Sequence, residues 1–265
     1  MQVKLNNKVA WVTGGGAGVG EAVCRRLAAC GAKVLCTDID GNAAQKVADS
    51  IHQQGGVAHG MSIDVTQEND NAAAVEWVFN EWGGLHMVAI NAAIDAARGK
   101  DILSCSLEEM RRTADVNYFG SFLGIKHAAQ GMKDHNIKGH ILVIGSGTSI
   151  KATPGTFAYS SSKHGLIGIA KLAATELLPE GIRVNTACLG MVDTKGLRDA
   201  LAQFGVEGVP DYVDGADLVA EEVVNLMAND SPLVTGQVIG LERGLSNTQY
   251  MAAVIEHGNR SNNEV

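Results

Sequence analysis

Three side chains near the middle of the chain have the types and spacing needed for proton transfer. Tyr159 and Lys163 stand four residues apart, and Ser146 ends an apolar run thirteen residues before the tyrosine. Residues i and i+4 share one face of a helix, so a helix over this segment places the lysine ammonium beside the phenol. An ammonium about 4 Å away contributes about 4 kcal/mol at an effective dielectric of about 20, which lowers a phenol pKa by about three units. We therefore expect Tyr159 to act as an acid and a base at neutral pH.

A glycine-rich segment near the start of the chain lies between a strand-like run and a helical pattern. It contains Gly14, Gly18 and Gly20, arranged as T-G-x-x-x-G-x-G from Thr13. Glycines let the main chain approach a pyrophosphate closely, and the amides at a helix start attract the anion. The segment predicts a phosphate-binding loop, with a flexible glycine-rich turn as the alternative.

A carboxylate at the end of the second apolar run indicates which dinucleotide binds. Asp38 follows Gly20 by eighteen residues, and no Arg or Lys lies between Lys33 and Lys46 to receive a 2′-phosphate. A carboxylate in this place accepts hydrogen bonds from ribose hydroxyls and repels the 2′-phosphate, which favours NAD over NADP. A solvated turn residue is the alternative for Asp38. Asp64 is a weaker candidate for the adenine edge, with helix capping as an equal alternative.

Together these motifs resemble the classical short-chain dehydrogenase/reductase family, over about residues 5–245. The resemblance implies an NAD(H)-dependent alcohol dehydrogenase or ketone reductase that acts on a small molecule. It assigns catalysis to Ser146, Tyr159 and Lys163. It also implies that the main chain of Asn117 holds a water on the proton path between Lys163 and solvent. It implies that Lys163 also binds the nicotinamide ribose. The cofactor-binding residues that we expect are Gly14, Gly18, Val19, Gly20, Asp38, Asp64, Val65, Asn91, Tyr159, Lys163, Val192 and Thr194.

The expected substrate is a neutral, mainly apolar secondary alcohol or its ketone. Its oxygen would sit between the Ser146 hydroxyl, which stabilises an oxyanion, and the Tyr159 phenol, which gives or takes the proton. Leu189 and Met191 indicate an apolar pocket, and Asp95, Asp193 and the acidic balance of the chain disfavour polyanionic substrates.

The sequence departs from the pattern of the family at Ile90, Ala93 and Leu189, and again where the customary V-D-G-G reads Leu241-Glu-Arg-Gly244. They bear on cofactor geometry and on substrate choice. They also keep a second function open, a cofactor-binding sensor without turnover, against which the intact Ser146, Tyr159 and Lys163 argue. A third alternative is a non-redox isomerase or lyase that holds the cofactor throughout.

Composition excludes several other classes of function. The net charge of -8 and the pI near 5.5 disfavour nucleic acid and anionic membrane surfaces as partners. No long apolar run predicts a signal peptide or a membrane span, so we expect a cytoplasmic protein. The five cysteines and the histidines lack metal-ligand spacing, and the cysteines are expected to be small buried residues in a reducing compartment.

Alternating strand-like and helical patterns predict an α/β fold. Seven apolar runs separated by helical segments indicate a Rossmann-type, doubly wound, seven-stranded parallel sheet with helices on both faces. The runs lie near Val9, Val34, Val57, Met87, Ile141, Val184 and Val238. The carboxyl ends of the fourth, fifth and sixth strands should then place Asn91, Ser146 and Gly190 around one crevice.

We expect residues 1–256 to form a single dinucleotide-binding and catalytic domain and residues 257–265 to form a flexible tail. Within the domain, residues 195–212 carry Leu197, Leu201 and Phe204 at helical spacing and are predicted to form a small substrate lid, with a plain surface helix as the alternative. The resemblance also implies a homotetramer or a homodimer.

Overall fold

The centre of the protein is a parallel sheet, seen in a computed structural model that describes residues 3–203, 205–206 and 208–242. Seven strands form this sheet in the order β3-β2-β1-β4-β5-β6-β9, and β7 pairs separately with β8. The strands are β1 Val9–Thr13, β2 Lys33–Asp38, β3 Val57–Ser62, β4 Met87–Ile90, β5 His140–Ser146, β6 Arg183–Leu189, β7 Val192–Asp193, β8 Asp214–Gly215 and β9 Val238–Leu241.

Helices connect the strands and cover both faces of the sheet. They are α1 Gly18–Ala29, α2 Gly41–Gln53, α3 Glu68–Trp82, α4 Leu107–Ala114, α5 Gly120–Asp134, α6 Phe157–Glu176, α7 Lys195–Gln203 and α8 Ala216–Ala228. Local chemistry fixes several of their ends. Ser106 and Glu109 form a reciprocal capping box at the start of α4, and Gly83 ends α3 in the left-handed region with φ of 74°.

The hydrophobic core has two layers, one on each face of the sheet. One layer packs α1, α2 and α8 against the strands, and the other packs α3, α5 and α6. Alternate residues of β5 serve the two layers, since Leu142 and Ile144 face the first whereas Ile141 and Val143 face the second. A strand buried on both faces reads as a continuous apolar run, which is why the sequence revealed it.

The predicted doubly wound, seven-stranded parallel sheet is confirmed. Its strand order reverses between β1 and β4, which is the switch point where such sheets bind ligands. Two features were not expected from the sequence: the β7–β8 pair, and a π-helical turn over Asp115–Phe119 that joins α4 to α5. Phe204 and the predicted tail lie outside the described residues.

Among the residues described, no helix is long and apolar enough to cross a bilayer. In the same ranges, no group of three or more His, Cys, Asp or Glu side chains could hold a metal ion. All five cysteines are free thiols, and four are buried, but Cys105 is partly exposed, which corrects the expectation that all five fill buried positions.

Candidate active site

The glycine loop joins β1 to α1 at the switch point of the sheet. Gly14 and Gly18 adopt positive φ values of 63° and 56°, a region that favours glycine. A Cβ on Gly20 would collide with the Gly14 carbonyl oxygen, so the close approach of loop and helix requires a glycine there. The cap residue Ala17 offers no side-chain acceptor to the first turn of α1. The backbone amides of that turn are therefore open to an anion.

Thr13 and Asn91 hold the loop against the end of β4. The Thr13 Oγ1 accepts hydrogen bonds from the amides of Asn91 and Ala92, at 2.9 and 3.1 Å. The Asn91 Nδ2 donates to the carbonyls of Thr13 and Gly14, at 3.0 and 3.1 Å. We call these four hydrogen bonds the Thr13–Asn91 clasp. The sequence indicated Asn91, whereas the acceptor role of Thr13 depends on a neighbouring strand and was missed.

Asp38 ends β2 beside the glycine loop. Its Oδ2 accepts from the Gly16 amide at 3.1 Å, and its Oδ1 accepts from the Asp40 amide at 3.1 Å. A Cβ on Gly16 would lie 3.0 Å from the Asp38 carboxylate, so the absence of a side chain leaves the space in front of the carboxylate open. Asp40 caps α2 through the amides of Asn42 and Ala43.

Asp64 and Val65 follow β3 at the same edge of the sheet. The Asp64 Oδ1 accepts from the amide and the hydroxyl of Thr66, at 3.0 and 2.8 Å. These bonds stabilise the turn before α3, and the cap position of that helix is Gln67, so Asp64 is not the helix cap that the sequence left open as its alternative. Val65 is buried and packs beside Gly120, at the start of α5.

The side chains expected to transfer protons gather at the carboxyl end of β5. Ser146 is the last residue of that strand, and its Oγ accepts a hydrogen bond of 3.2 Å from the Thr148 amide. On α6, the Lys163 Nζ lies 5.7 Å from the centroid of the Tyr159 ring and donates to the Ile144 carbonyl at 2.8 Å. The Ser146 hydroxyl is close enough to the phenol to lower its pKa through hydrogen bonding. The structure thus brings the three side chains together.

The pKa values of the tyrosine and the lysine correct the expectation from sequence. Burial raises the pKa of Tyr159 to about 12, against the smaller lowering effect of Ser146. Burial also lowers the pKa of Lys163 to about 8. Desolvation disfavours the charged form of each group, and the ammonium is directed at the Ile144 carbonyl rather than at the phenol oxygen. The prediction that Lys163 dominates the pKa of the phenol is therefore wrong, and Tyr159 holds its proton at neutral pH.

Asn117 lies in the π-helical turn and is fully buried. Its side chain accepts from the Ile94 amide at 2.8 Å and donates to the Ile94 carbonyl at 2.9 Å. It also donates to the Ser162 hydroxyl at 3.0 Å, one residue before Lys163. Asn117 therefore ties the loop after β4 to the helix that carries the tyrosine and the lysine.

Val192 and Thr194 lie on the other side of the glycine loop. Val192 pairs with Asp214 in the β7–β8 ladder. The Thr194 Oγ1 accepts from the Leu197 amide at 3.2 Å and so caps α7. A Cβ on Gly18 would lie 3.2 Å from the Thr194 Cγ2, so this threonine faces the loop directly.

The departures from the family pattern at Ile90, Ala93 and Leu189 leave the site groups in place. Ile90 is buried in the core, where a Cβ on Gly124 would lie 2.7 Å from its Cδ1. Ala93 is exposed, and its φ is not positive, so its backbone does not require a glycine. Leu189 continues β6 and pairs with both Ser146 and Leu241.

The arrangement fits a dinucleotide laid along the carboxyl edge of the sheet. Asp38 is placed for a ribose, the open amides of α1 for a pyrophosphate, and Thr194 for the far end of the molecule. The fit rests on the space that Gly16 and Gly18 leave, because a side chain on either residue would enter this groove.

Known proteins are similar to this chain both in sequence and in fold. A family model described as short chain dehydrogenase matches residues 8–203. Zerumbone synthase from Zingiber zerumbet is 32% identical over 271 residues, covering 96% of this chain and all of the relative. The mitochondrial borneol dehydrogenase of Lavandula x intermedia is 33% identical and covers 92% of each chain.

A solved structure agrees with these relatives. The crystal structure of a short-chain type dehydrogenase/reductase from Mycobacterium marinum is 28% identical and superposes with a TM-score of 0.82. It covers 91% of this chain and 96% of its own chain. With the family match over residues 8–203, these similarities show that the chain is an oxidoreductase that belongs to the short chain dehydrogenase family.

Proposed function

We propose that the protein is an NAD-dependent oxidoreductase that interconverts a neutral, mainly apolar secondary alcohol and its ketone, with Tyr159 as the acid and base. The observation that carries the proposal is the meeting of Ser146, Tyr159 and Lys163 at the carboxyl end of β5. Relatives support the substrate class, since borneol dehydrogenase is named for borneol, a neutral secondary alcohol.

Each side chain has a role that follows from its position. A bound nicotinamide dinucleotide would supply the acceptor or the donor of a hydride. In reduction, the neutral phenol of Tyr159 donates its proton to the forming alkoxide, while the Ser146 hydroxyl donates a hydrogen bond to the same oxygen. Oxidation is the reverse step and needs the Tyr159 phenolate to take the proton of the alcohol, so the raised pKa of Tyr159 predicts that oxidation becomes faster as the pH rises. Lys163, with a pKa lowered to about 8, remains mainly protonated at neutral pH, and its ammonium would bind the nicotinamide ribose.

The preference for NAD rests on the charges around Asp38. Its carboxylate lies at the end of β2 with Asp40 two residues further on, and no Arg or Lys lies between Lys33 and Lys46. A 2′-phosphate would meet two carboxylates with no cation from this segment to offset them.

Hydride transfer and one conservative variant test the proposal. NADH absorbance is followed with a panel of alcohols and ketones, for the wild type and for Tyr159→Phe. We expect the variant to lose turnover by about 10²- to 10⁴-fold, since it lacks the proton donor, and to keep NADH binding as measured by fluorescence titration. Tyr118→Phe is the matched control and should keep turnover.

Other outcomes would point to the remaining functions. NADH binding without turnover on any substrate would indicate a sensor, and product formed without net change of NADH would indicate an isomerase or lyase. Tyr159→Phe with turnover within about threefold of the wild type would refute the role of the phenol.

A further inference from the structure

The loop between β4 and α4 carries an acid and a base that the proposed chemistry does not use. Asp95 and Arg98 stand three residues apart, and the Arg98 Nε lies 3.8 Å from the Asp95 Oδ2. Both charges act on the Tyr159 phenol, since Asp95 raises its pKa and Arg98 lowers it. The pair is therefore within electrostatic range of the phenol, and hydrogen bonds of the same loop to the start of α6 fix its place there.

This loop is held at both ends. Asn117 binds both the amide and the carbonyl of Ile94, immediately before Asp95. Beyond the pair, the Gly99 amide donates to the Gly155 carbonyl at 2.8 Å, just ahead of α6. The positions of Asp95 and Arg98 are therefore set by the same elements that position Tyr159.

Asp95 has an acceptor oxygen without a hydrogen bond in the described part of the chain. Its side chain is only 10% exposed. Oδ1 accepts a long bond of 3.3 Å from the Ala97 amide, whereas Oδ2 has only the ion pair with Arg98, whose 3.8 Å exceeds a hydrogen-bond distance. Arg98 in turn donates to the Gly196 carbonyl of α7 at 3.3 Å. A carboxylate this buried gains from a further donor.

We propose that Asp95 is a specificity-determining residue that, with Arg98, recognises a second hydroxyl of the substrate, so that the preferred substrates are diols and hydroxyketones. A hydroxyl can donate to Asp95 and accept from Arg98, which a hydrocarbon substituent cannot do. A carboxylate or phosphate in the same place could pair only with Arg98 and would be repelled by Asp95, whereas a neutral hydroxyl can bond to both. The inference rests on the proposed function and narrows its substrate class.

The test compares substrates that differ by one hydroxyl. The probes are cyclohexanol and the isomers of 1,2-, 1,3- and 1,4-cyclohexanediol, which place the second hydroxyl at different distances from the first. We expect the wild type to have a kcat/KM higher by about tenfold to a hundredfold for at least one diol than for cyclohexanol. Asp95→Leu, which keeps the bulk but removes both acceptors, should abolish this ratio, and Asp95→Asn should restore part of it.

The matched control is Asp193→Leu. Asp193 pairs with Arg198, at 2.6 Å between Oδ1 and Nε, and is not part of the Asp95–Arg98 pair. Its loss should leave the ratio of diol to cyclohexanol unchanged. If Asp95 only fastened the loop to α7, Asp95→Leu would lower kcat/KM for both substrates equally, and the inference would be overturned.

A second readout does not depend on turnover. Saturation-transfer NMR of the same probes with the Tyr159→Phe variant should show stronger binding of the favoured diol than of cyclohexanol, and Asp95→Leu in that background should remove the difference. Equal binding of all the probes overturns the inference. A wild type that turns over alcohols with equal efficiency overturns the inference alone, whereas failure of hydride transfer on every alcohol and ketone overturns the proposed function.

Discussion

At the scale of a single residue, Asp38 is the side chain that we expect to select NAD over NADP. Its carboxylate stands in the space that Gly16 leaves open, so a 2′-phosphate would be placed against a negative charge. We expect the wild type to favour NAD over NADP, and Asp38→Ala to shift the ratio of the two kcat/KM values towards NADP by about tenfold or more. Steady-state kinetics with both cofactors measures this ratio.

Asp40→Asn is the control for the change of charge at Asp38. Asparagine keeps the cap of α2 while one negative charge two residues away is removed. This variant should alter the cofactor ratio much less than Asp38→Ala. Equal shifts from the two variants would mean that the general field of the loop, and not the position of Asp38, selects the cofactor.

Sequence reasoning worked unevenly for individual residues. It grouped Ser146, Tyr159 and Lys163 correctly, because helical spacing and strand ends determine which side chains can meet. It gave the wrong direction for the pKa of Tyr159, because desolvation depends on burial by residues far apart in the chain. Arg98 was missed for the same reason, since it reaches across to Gly196.

At the scale of elements, the Thr13–Asn91 clasp joins the first strand to the fourth. Thr13→Val keeps the shape of the side chain but removes the acceptor of two amides. We expect a loss of about 2 kcal/mol in the free energy of unfolding, since the amides lose their partner, and weaker NADH binding as the loop loosens. Urea denaturation and fluorescence titration measure the two effects.

Thr13→Ser tests whether the acceptor is the cause. Serine retains the oxygen and loses only a methyl group, so its stability and its affinity for NADH should stay near those of the wild type. A serine variant as impaired as the valine variant would assign the effect to packing instead.

The elements themselves were predictable where they are buried on both faces or strongly periodic. The seven strands of the sheet were predicted from apolar runs, although the edge strands β3 and β9 are buried only in part. The β7–β8 pair was not predicted, because two-residue strands have too few residues for any periodicity. The π-helical turn at Asn117 likewise leaves no pattern in the sequence, since it adds only one turn to a continuous helix.

At the scale of the whole molecule, His140 links the sheet to α8. The imidazole is 2% exposed, donates from Nδ1 to the Met227 carbonyl at 3.2 Å and accepts at Nε2 from Asn185 at 2.9 Å. Both nitrogens are thus used by the neutral ring. Burial, helped by the charge of Arg183, lowers the pKa of His140 from 6.5 to about 4.

This burial predicts a pH dependence of stability. Between pH 6.5 and about 4 the unfolded chain binds a proton that the folded protein excludes, so the free energy of unfolding falls as the pH falls through this window. At about pH 4, proton binding by His140 in the unfolded chain has lowered the free energy of unfolding by about 3 kcal/mol relative to its value at neutral pH. Urea denaturation over this pH range should show a shallower slope for His140→Gln than for the wild type.

His135→Gln is the control, because that histidine is exposed at the end of α5. The free energy of unfolding of this variant should depend on pH with the same slope as that of the wild type. Part of the wild-type slope comes from His86, whose pKa is also lowered by burial. If the pH slopes of the wild type and His140→Gln were identical, the ring would take up its proton in the folded protein as readily as in the unfolded chain, and the argument from burial would be refuted.

The β7–β8 ladder has a consequence for how this enzyme can change over evolutionary time. Because Val192–Asp193 pairs with Asp214–Gly215, the two ends of the segment between these strands lie side by side. The entropy of closing such a segment grows slowly, by about 0.6 kcal/mol for each doubling of its length. We therefore expect insertions and deletions in the segment between these two strands, where a substrate lid is predicted, to change which substrates are accepted, while the sheet and Ser146, Tyr159 and Lys163 keep their geometry.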